Sequence, residues 1–196
     1  MKPKFFYLGH GSLRFETTRG QLIYVDPYAG EDYGPEADLL LVTHGHYDHS
    51  AVELVTRKPD CLTVTWAEAL AGGSYHTFQK DGITVAAVPA CNKNHDITQC
   101  VGYVVGFDGI RVYCAGDTSI VGDMAEAARY RVDYAFLPTD GVYNMSPEEA
   151  SRCAELIGCR HVVPIHTLVG GYDRAMAQRV QHPGRIIVEP GETLEL

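Results

Sequence analysis

LLLVTHGHYDHS, residues 39–50, joins a continuous apolar run to three histidines and an aspartate crowded into six positions: His44, His46, Asp48 and His49. An unbroken apolar run of this kind suits a strand buried on both faces. In extended chain the side chains repeat direction every two residues, so His44 and His46 face one side and can grip one ion. If the chain then turns into a helix over 49–57, HSAVELVTR, Asp48 and His49 point elsewhere and can reach a second ion. A helical HExxH pair fails on spacing, since no two histidines stand four apart around a glutamate and Gly45 interrupts the segment. A histidine-rich surface loop and hydrogen-bonded core histidines are the bland alternatives, but HxHxDH behind a buried strand favours metal binding over both.

Outward from this stretch, short runs rich in Val, Ile, Tyr and Phe recur: KFFYLG, SLRFET, QLIYVDP, CLTVTW, GITVAAV, GYVVGF, RVYCAGD, YAFLP, HVVPIH and RIIVEP. Most are bounded by Gly, Asp, Asn or Pro, as strands are. Helices are expected over HSAVELVTR, WAEALAGG, VGDMAEAARYR, SPEEASRCAELIGC and YDRAMAQRVQ. The fourth is the clearest: Ser146, Pro147 and Glu149 make a capping box with proline at the first helical position, and Gly158 ends it. Strands cluster early and in the middle, with helices in both halves. This order predicts an α/β fold of two sheets packed face to face with helices outside, rather than strict βαβ alternation.

With 196 residues, 45% of them hydrophobic, and no linker or low-complexity tract, the chain is expected to form a single domain over residues 1–196. Its formal net charge of −9 argues against nucleic acid and anionic membrane surfaces as partners. MKPKFFYLGHGS is too short in apolar residues for a signal peptide, and no apolar run reaches membrane-spanning length, so a cytoplasmic location is expected. The six cysteines lack CxxC spacing and are read as small buried thiols, with Cys91, four residues from His95, the least certain.

At HxHxDH the sequence resembles the metallo-β-lactamase superfamily, and elements along nearly the whole chain agree: VDP with Asp26, His95 in CNKNH, Asp117 in AGDTS and His166 in VPIHT. GHGS, YNMSPEEA, PIHT and VEPGETLEL look most like the branch that contains L-ascorbate-6-phosphate lactonase. The resemblance implies an αββα four-layer sandwich of two mixed sheets flanked by helices. It also implies that His44, His46 and His95 hold one metal, that Asp48, His49 and His166 hold a second, and that Asp117 bridges them. Independently of the resemblance, His95, Asp117 and His166 each fall at or just after a predicted strand end, where loops converge. Taken singly, each has another reading: His95 as a turn residue, Asp117 as a helix cap, His166 as a packed residue. Asp26 is read as an acceptor orienting a histidine of the metal loop, or as a turn-forming Asp-Pro. His10 is a candidate to line the pocket and take part in catalysis, whereas His76, His161 and His182 lack companions at ligand spacing.

Two divalent ions can share a water, lower its pKa and polarise a substrate oxygen, which points to hydrolysis of a small lactone, ester, amide or phosphoester. Asp48 and Asp117 are candidates for moving the proton to the leaving group. Imidazole and carboxylate ligands without thiolate suit Zn²⁺ first, with Mn²⁺ or Fe²⁺ as alternatives. His10, Tyr47, Asn92, Asn94, Thr118, Asp140, Tyr143, Thr167 and Tyr172 are candidates to contact a small-molecule substrate. No arginine cluster or glycine-rich cradle supports a phosphorylated one. The competing functions are a non-haem di-iron redox protein served by a separate electron donor, and a metal-binding sensor without turnover. Lactonases of the resembling branch form oligomers, so a homo-oligomer is the expectation.

Overall fold

The computed structural model describes residues 2–122 and 125–196. Two six-stranded mixed sheets pack face to face. The first has the order β12-β1-β2-β3-β4-β5, from β1 (Lys4–Gly9), β2 (Ser12–Glu16), β3 (Leu22–Val25), β4 (Ala37–Leu41), β5 (Arg57–Val64) and β12 (Thr193–Glu195). The second has the order β11-β10-β9-β8-β7-β6, from β6 (Thr77–Lys80), β7 (Ile83–Pro89), β8 (Val101–Phe107), β9 (Ile110–Cys114), β10 (Tyr134–Pro138) and β11 (His161–Ile165).

Both sheets are built the same way, as an antiparallel meander to which two strands are added in parallel. It follows that β1, β3 and β4 share one direction in the first sheet, and β7, β9, β10 and β11 share one direction in the second. The carboxyl ends of these seven strands supply every candidate site residue. β4 lies between two parallel neighbours, and its Leu39, Leu40 and Leu41 are wholly buried, as an apolar run with no polar alternation requires.

The layers between and outside the sheets follow from strand alternation. Phe5 and Phe15 of the first sheet meet Phe136 of the second, with ring centroids 4.5 and 5.3 Å apart, inside a core that runs from Phe5 to Val188. Tyr113, Ala135 and Leu137 face the other way and are covered by Ala150, Cys153, Ala154 and Ile157 of α3 (Pro147–Ile157). The outer face of the first sheet, at Tyr24 and Leu40, is covered by Tyr33 and Val55 from irregular segments. The helical content is small: besides α3 there are α1 (Trp66–Ala69), α2 (Ala125–Ala128) and α4 (Arg174–Arg179).

Several local expectations are corrected. The segment 49–57 makes only a 3₁₀ turn at Val52–Leu54, because Ala51 N–H is drawn to Pro27 O at 2.9 Å and Val55 is buried against the outer cluster. RIIVEP forms a single bridge, Arg185 with Val162, in place of a strand. β6 and β12, unforeseen, close the sheet edges. At α3, Ser146 Oγ accepts from Glu149 N–H as expected, but the Glu149 carboxylate accepts from Ile120 N–H at 2.9 Å, so the reciprocal half of the capping box is absent. The start of the helix expected over VGDMAEAARYR, at residues 123 and 124, lies outside the described residues.

Candidate metal centre

Three loops of the first sheet and four of the second meet at one rim. The ligand atoms of His44, His46 and His95 lie within 4.8 Å of one another, and so do those of His10, Asp48, His49 and His166. Asp117, buried at the end of β9, stands between the two groups. Its Oδ1 is 3.3 Å from His49 Nε2 and 3.7 Å from His166 Nε2, and its Oδ2 is 3.5 Å from His95 Nε2. Each carboxylate oxygen therefore faces a different group.

Hydrogen bonds around the rim settle which imidazole nitrogen carries the proton. Thr43 Oγ1 donates its only hydrogen to Asp26 Oδ2 at 2.6 Å, so towards His44 Nδ1, 3.0 Å away, it can only accept. His44 Nε2 is left with a bare lone pair, buried and without a hydrogen-bond partner. Asp26 Oδ2 also accepts from His49 Nδ1 at 2.9 Å, and Asn92 Oδ1 accepts from His95 Nδ1 at 2.7 Å. His49 Nε2 and the Nε2 lone pair of His95 then face the Asp117 carboxylate, and His95 Nε2 also faces His46 Nδ1 at 3.1 Å. Lone pairs held against carboxylate oxygen in a buried site call for a cation between them, so the donor set fits divalent metal.

The charge states of His44, His95 and His10 agree with this fit. Burial and the neighbouring imidazoles His49, His95 and His46 push His44 down to about 2, against the pull of Asp117, and burial likewise lowers His95 and His10. These rings are neutral, as ligands must be. His49 differs: burial would lower it too, but Asp117 and Asp26 outweigh burial and raise it well above its ordinary value, so without a cation its Nε2 carries a proton towards Asp117, in the place a metal ion would take. Asp48 falls to about 2, chiefly through its contact with His10 Nε2 at 3.2 Å, and Asp117 lies well below the usual carboxylate range because the imidazoles around it overcome its burial.

The loops are held in place by unusual backbone. His10, Asp26 and His166 all have positive φ, 51°, 48° and 45°, although none is glycine. His166 N–H donates to His10 O at 3.1 Å, and the buried Tyr7 hydroxyl donates to the same oxygen at 2.9 Å, tying the first loop to the last. The imidazoles of His10 and His166 then pack against each other with centroids 3.6 Å apart and ring planes tilted by 41°.

This arrangement explains the GHGS segment residue by residue. Gly9 takes φ 121°, His10 packs on His166, and Ser12 Oγ donates to Asp26 O at 2.6 Å. A Cβ on Gly11 would come within 2.5 Å of His49 Cε1. Gly11→Ala is therefore expected to push His49 off Asp26, costing about 1–3 kcal/mol of stability and roughly 10–100-fold in metal affinity. Thermal unfolding and a metal titration of the variant check both.

Several residues take roles the sequence did not disclose. Asp140, read as a substrate contact, is buried instead beside His166, with Oδ2 3.2 Å from Nδ1, while its Oδ1 accepts from Val142 and Tyr143 N–H at 2.7 Å each. The His166 contact and these donors hold it at about 2 despite its burial. The parallel register pairs Pro138 with Ile165, which brings the residues just past the two strands together. Asn92 orients His95; Thr118 is buried and bonded to Cys91; Thr167 Oγ1 accepts from Asp173 N–H at 2.7 Å. His10, Tyr47, Asn94 and Tyr143 do line the cavity over the centre, joined by the unforeseen Tyr28 and Val169. Cys91 stands outside both groups, its thiol pushed up by burial.

His76 lies on the surface and its Nε2 is bonded to Ala71 O at 2.7 Å. His76→Ala is expected to leave metal content unchanged by elemental analysis, and a loss would mean that an outer histidine has been misassigned.

Comparison with known proteins bears on the family and the fold. Residues 4–166 match the model of the β-lactamase superfamily domain. The chain is 31% identical to a UPF0173 metal-dependent hydrolase of Thermococcus onnurineus, covering 97% of this chain and 98% of that protein. It is 35% identical to another of that description from Methanocorpusculum labreanum, over 82% of this chain and 81% of that one. Igni18, a metallo hydrolase from Ignicoccus hospitalis, shares the fold with a TM-score of 0.76 at 24% identity, covering 99% of this chain and 98% of that one.

Proposed function

This chain belongs to the metallo-β-lactamase superfamily, and on that footing we propose that it is a hydrolase that works through two divalent cations, Zn²⁺ first by ligand preference, on a small acyl or phosphoryl substrate. The observation that carries this reading is the placement of Asp117, one carboxylate oxygen turned to each of two histidine groups. His44, His46 and His95 would hold one cation and Asp48, His49 and His166 the other, with Asp117 shared. Bound there, the cations would supply Lewis acidity, lowering the pKa of water and polarising the substrate oxygen.

The rest is the work of the chain's own side chains. Asp26, Asn92 and Asp140 fix the orientation of His49, His95 and His166. Asp48 is half-buried and faces the cavity, so its Oδ2 is placed to take the proton that water gives up; His10 Nε2, 3.2 Å away, holds that oxygen in position. Buried His44 and Thr43 close the floor to bulk solvent.

Elemental analysis of purified protein together with a panel of lactones, esters and phosphodiesters tests the reading. Colourless zinc- or manganese-loaded protein that turns over a panel member supports it. Iron with a visible charge-transfer band would favour the redox function, and bound metal with no turnover would favour a sensor.

A further inference from the structure

Resting on the hydrolase reading, we infer that the substrate is an uncharged carboxylic ester or lactone bearing an aromatic or other apolar group, and not a phosphorylated compound. The centre forms the floor of a cavity of about 480 Å³. Among the described residues that line it there is no lysine or arginine. The walls above the ligands are mainly aromatic and apolar, Tyr28, Tyr47, Tyr143 and Val169, joined by the uncharged amide of Asn94. Tyr28 and Tyr47 meet edge to face with centroids 5.7 Å apart, and Tyr47 is 78% exposed. Apolar faces gathered around a concave mouth and left open to solvent gain most from a ligand that covers them.

A second cavity of about 350 Å³ adjoins the first across His10, Tyr28 and Gly170. Leu8, Ala29, Tyr172 and Pro190 wall it, and no carboxylate, lysine or arginine is among its described lining residues. The two together offer room for both portions of an ester, with the acyl carbon over the centre.

Charge points the same way. The carboxylates of Asp26, Asp48, Asp117 and Asp140 surround the two ligand groups and already match the charge of two divalent cations. A phosphate monoester would bring further negative charge to walls that hold no guanidinium or ammonium to receive it. A neutral ester needs no such partner and gains from the tyrosine faces. In the reaction, the oxygen of water bonds to the acyl carbon. The bond from that carbon to the leaving oxygen breaks with its electron pair on oxygen, and the proton given up by water ends there, giving acid and alcohol with no further reactant.

The test uses metal-loaded protein with phenyl butyrate, methyl butyrate and phenyl phosphate. The expected kcat/KM for phenyl butyrate exceeds that for phenyl phosphate by about 100-fold or more. Tyr47→Ala is expected to raise KM for phenyl butyrate about 10-fold, far more than for methyl butyrate, with the loss in KM rather than kcat and with unchanged metal content. Tyr143→Ala provides the same reading from the loop after β10. Phenyl phosphate turned over as well as phenyl butyrate would overturn the substrate class while leaving hydrolysis intact, and so would tyrosine variants whose KM does not move. No turnover by loaded protein of these three or of the lactone and phosphodiester panel would overturn the hydrolase reading itself.

Discussion

Asp117→Ala is expected to strip metal from both ligand groups and to reduce hydrolysis by on the order of 10³-fold or more. The carboxylate is the one ligand with an oxygen towards each group, 3.3 Å from His49 Nε2 on one side and 3.5 Å from His95 Nε2 on the other. Removing it leaves the His44, His46 and His95 group with imidazole nitrogens alone and takes from the other group the carboxylate it shares. Elemental analysis of the variant reads metal content directly, and circular dichroism separates loss of metal from loss of fold. Asp117→Asn, which keeps the volume, is the companion variant and should lose metal with little change in the dichroism. Wild-type metal content in both variants would remove Asp117 from the centre and with it the shared carboxylate.

Asp26→Asn should produce the second-largest effect, through tautomer rather than ligation. The Asp26 carboxylate accepts three hydrogen bonds: from Thr43 N–H at 2.7 Å, Thr43 Oγ1 at 2.6 Å and His49 Nδ1 at 2.9 Å. An asparagine keeps one acceptor oxygen and turns an amide N–H₂ towards the others. If the oxygen stays on Thr43 N–H, the amide faces His49 Nδ1 and forces its proton to Nε2, the atom that must bind metal. Metal affinity should fall roughly 10–100-fold, and stability by about 3 kcal/mol as buried donors lose their acceptor. Nitrogen chemical shifts of the His49 ring report the tautomer. A variant that keeps both the Nδ1–H form and its metal affinity would show that Asp26 serves the turn alone.

Both effects depend on the same architecture. Two sheets of like construction place the carboxyl ends of parallel strands at one edge, and the loops that leave them face each other across the interface of the sheets. A rim assembled from seven strand ends can hold ligand atoms of distant sequence within a few ångströms because each loop is anchored in a packed core. The positive φ values of His10, Asp26 and His166 are the local cost, and the hydrogen bonds of Tyr7 and Ser12 hold the loops there.

The local chemistry was legible in the sequence. The apolar run before HxHxDH identified β4, and the residue types at 44, 46, 48, 49, 95, 117 and 166 marked donors of imidazole nitrogen and carboxylate oxygen. These signals are short-range: a strand declares itself by its own side chains, and a ligand by its functional group. Where a short-range signal misled, tertiary contacts had outbid it, as at 49–57, where the periodicity of a helix yields to the hydrogen bond with Pro27 and the burial of Val55. β6 and β12 escaped notice because edge strands, half solvated and short, need no apolar pattern to be held by a neighbour's ladder.

What the chain alone could not state was which groups stand beside one another. Asp140 beside His166 follows from the pairing of β10 with β11, and Tyr28 over the centre follows from the fold of the loop after Asp26. The sequence by itself determined the kind of atoms available for a metal and the strands that would carry them. Only the tertiary structure decided their partners, because a tautomer, a charge state and the face of a carboxylate depend on distances between segments that the order of residues does not contain.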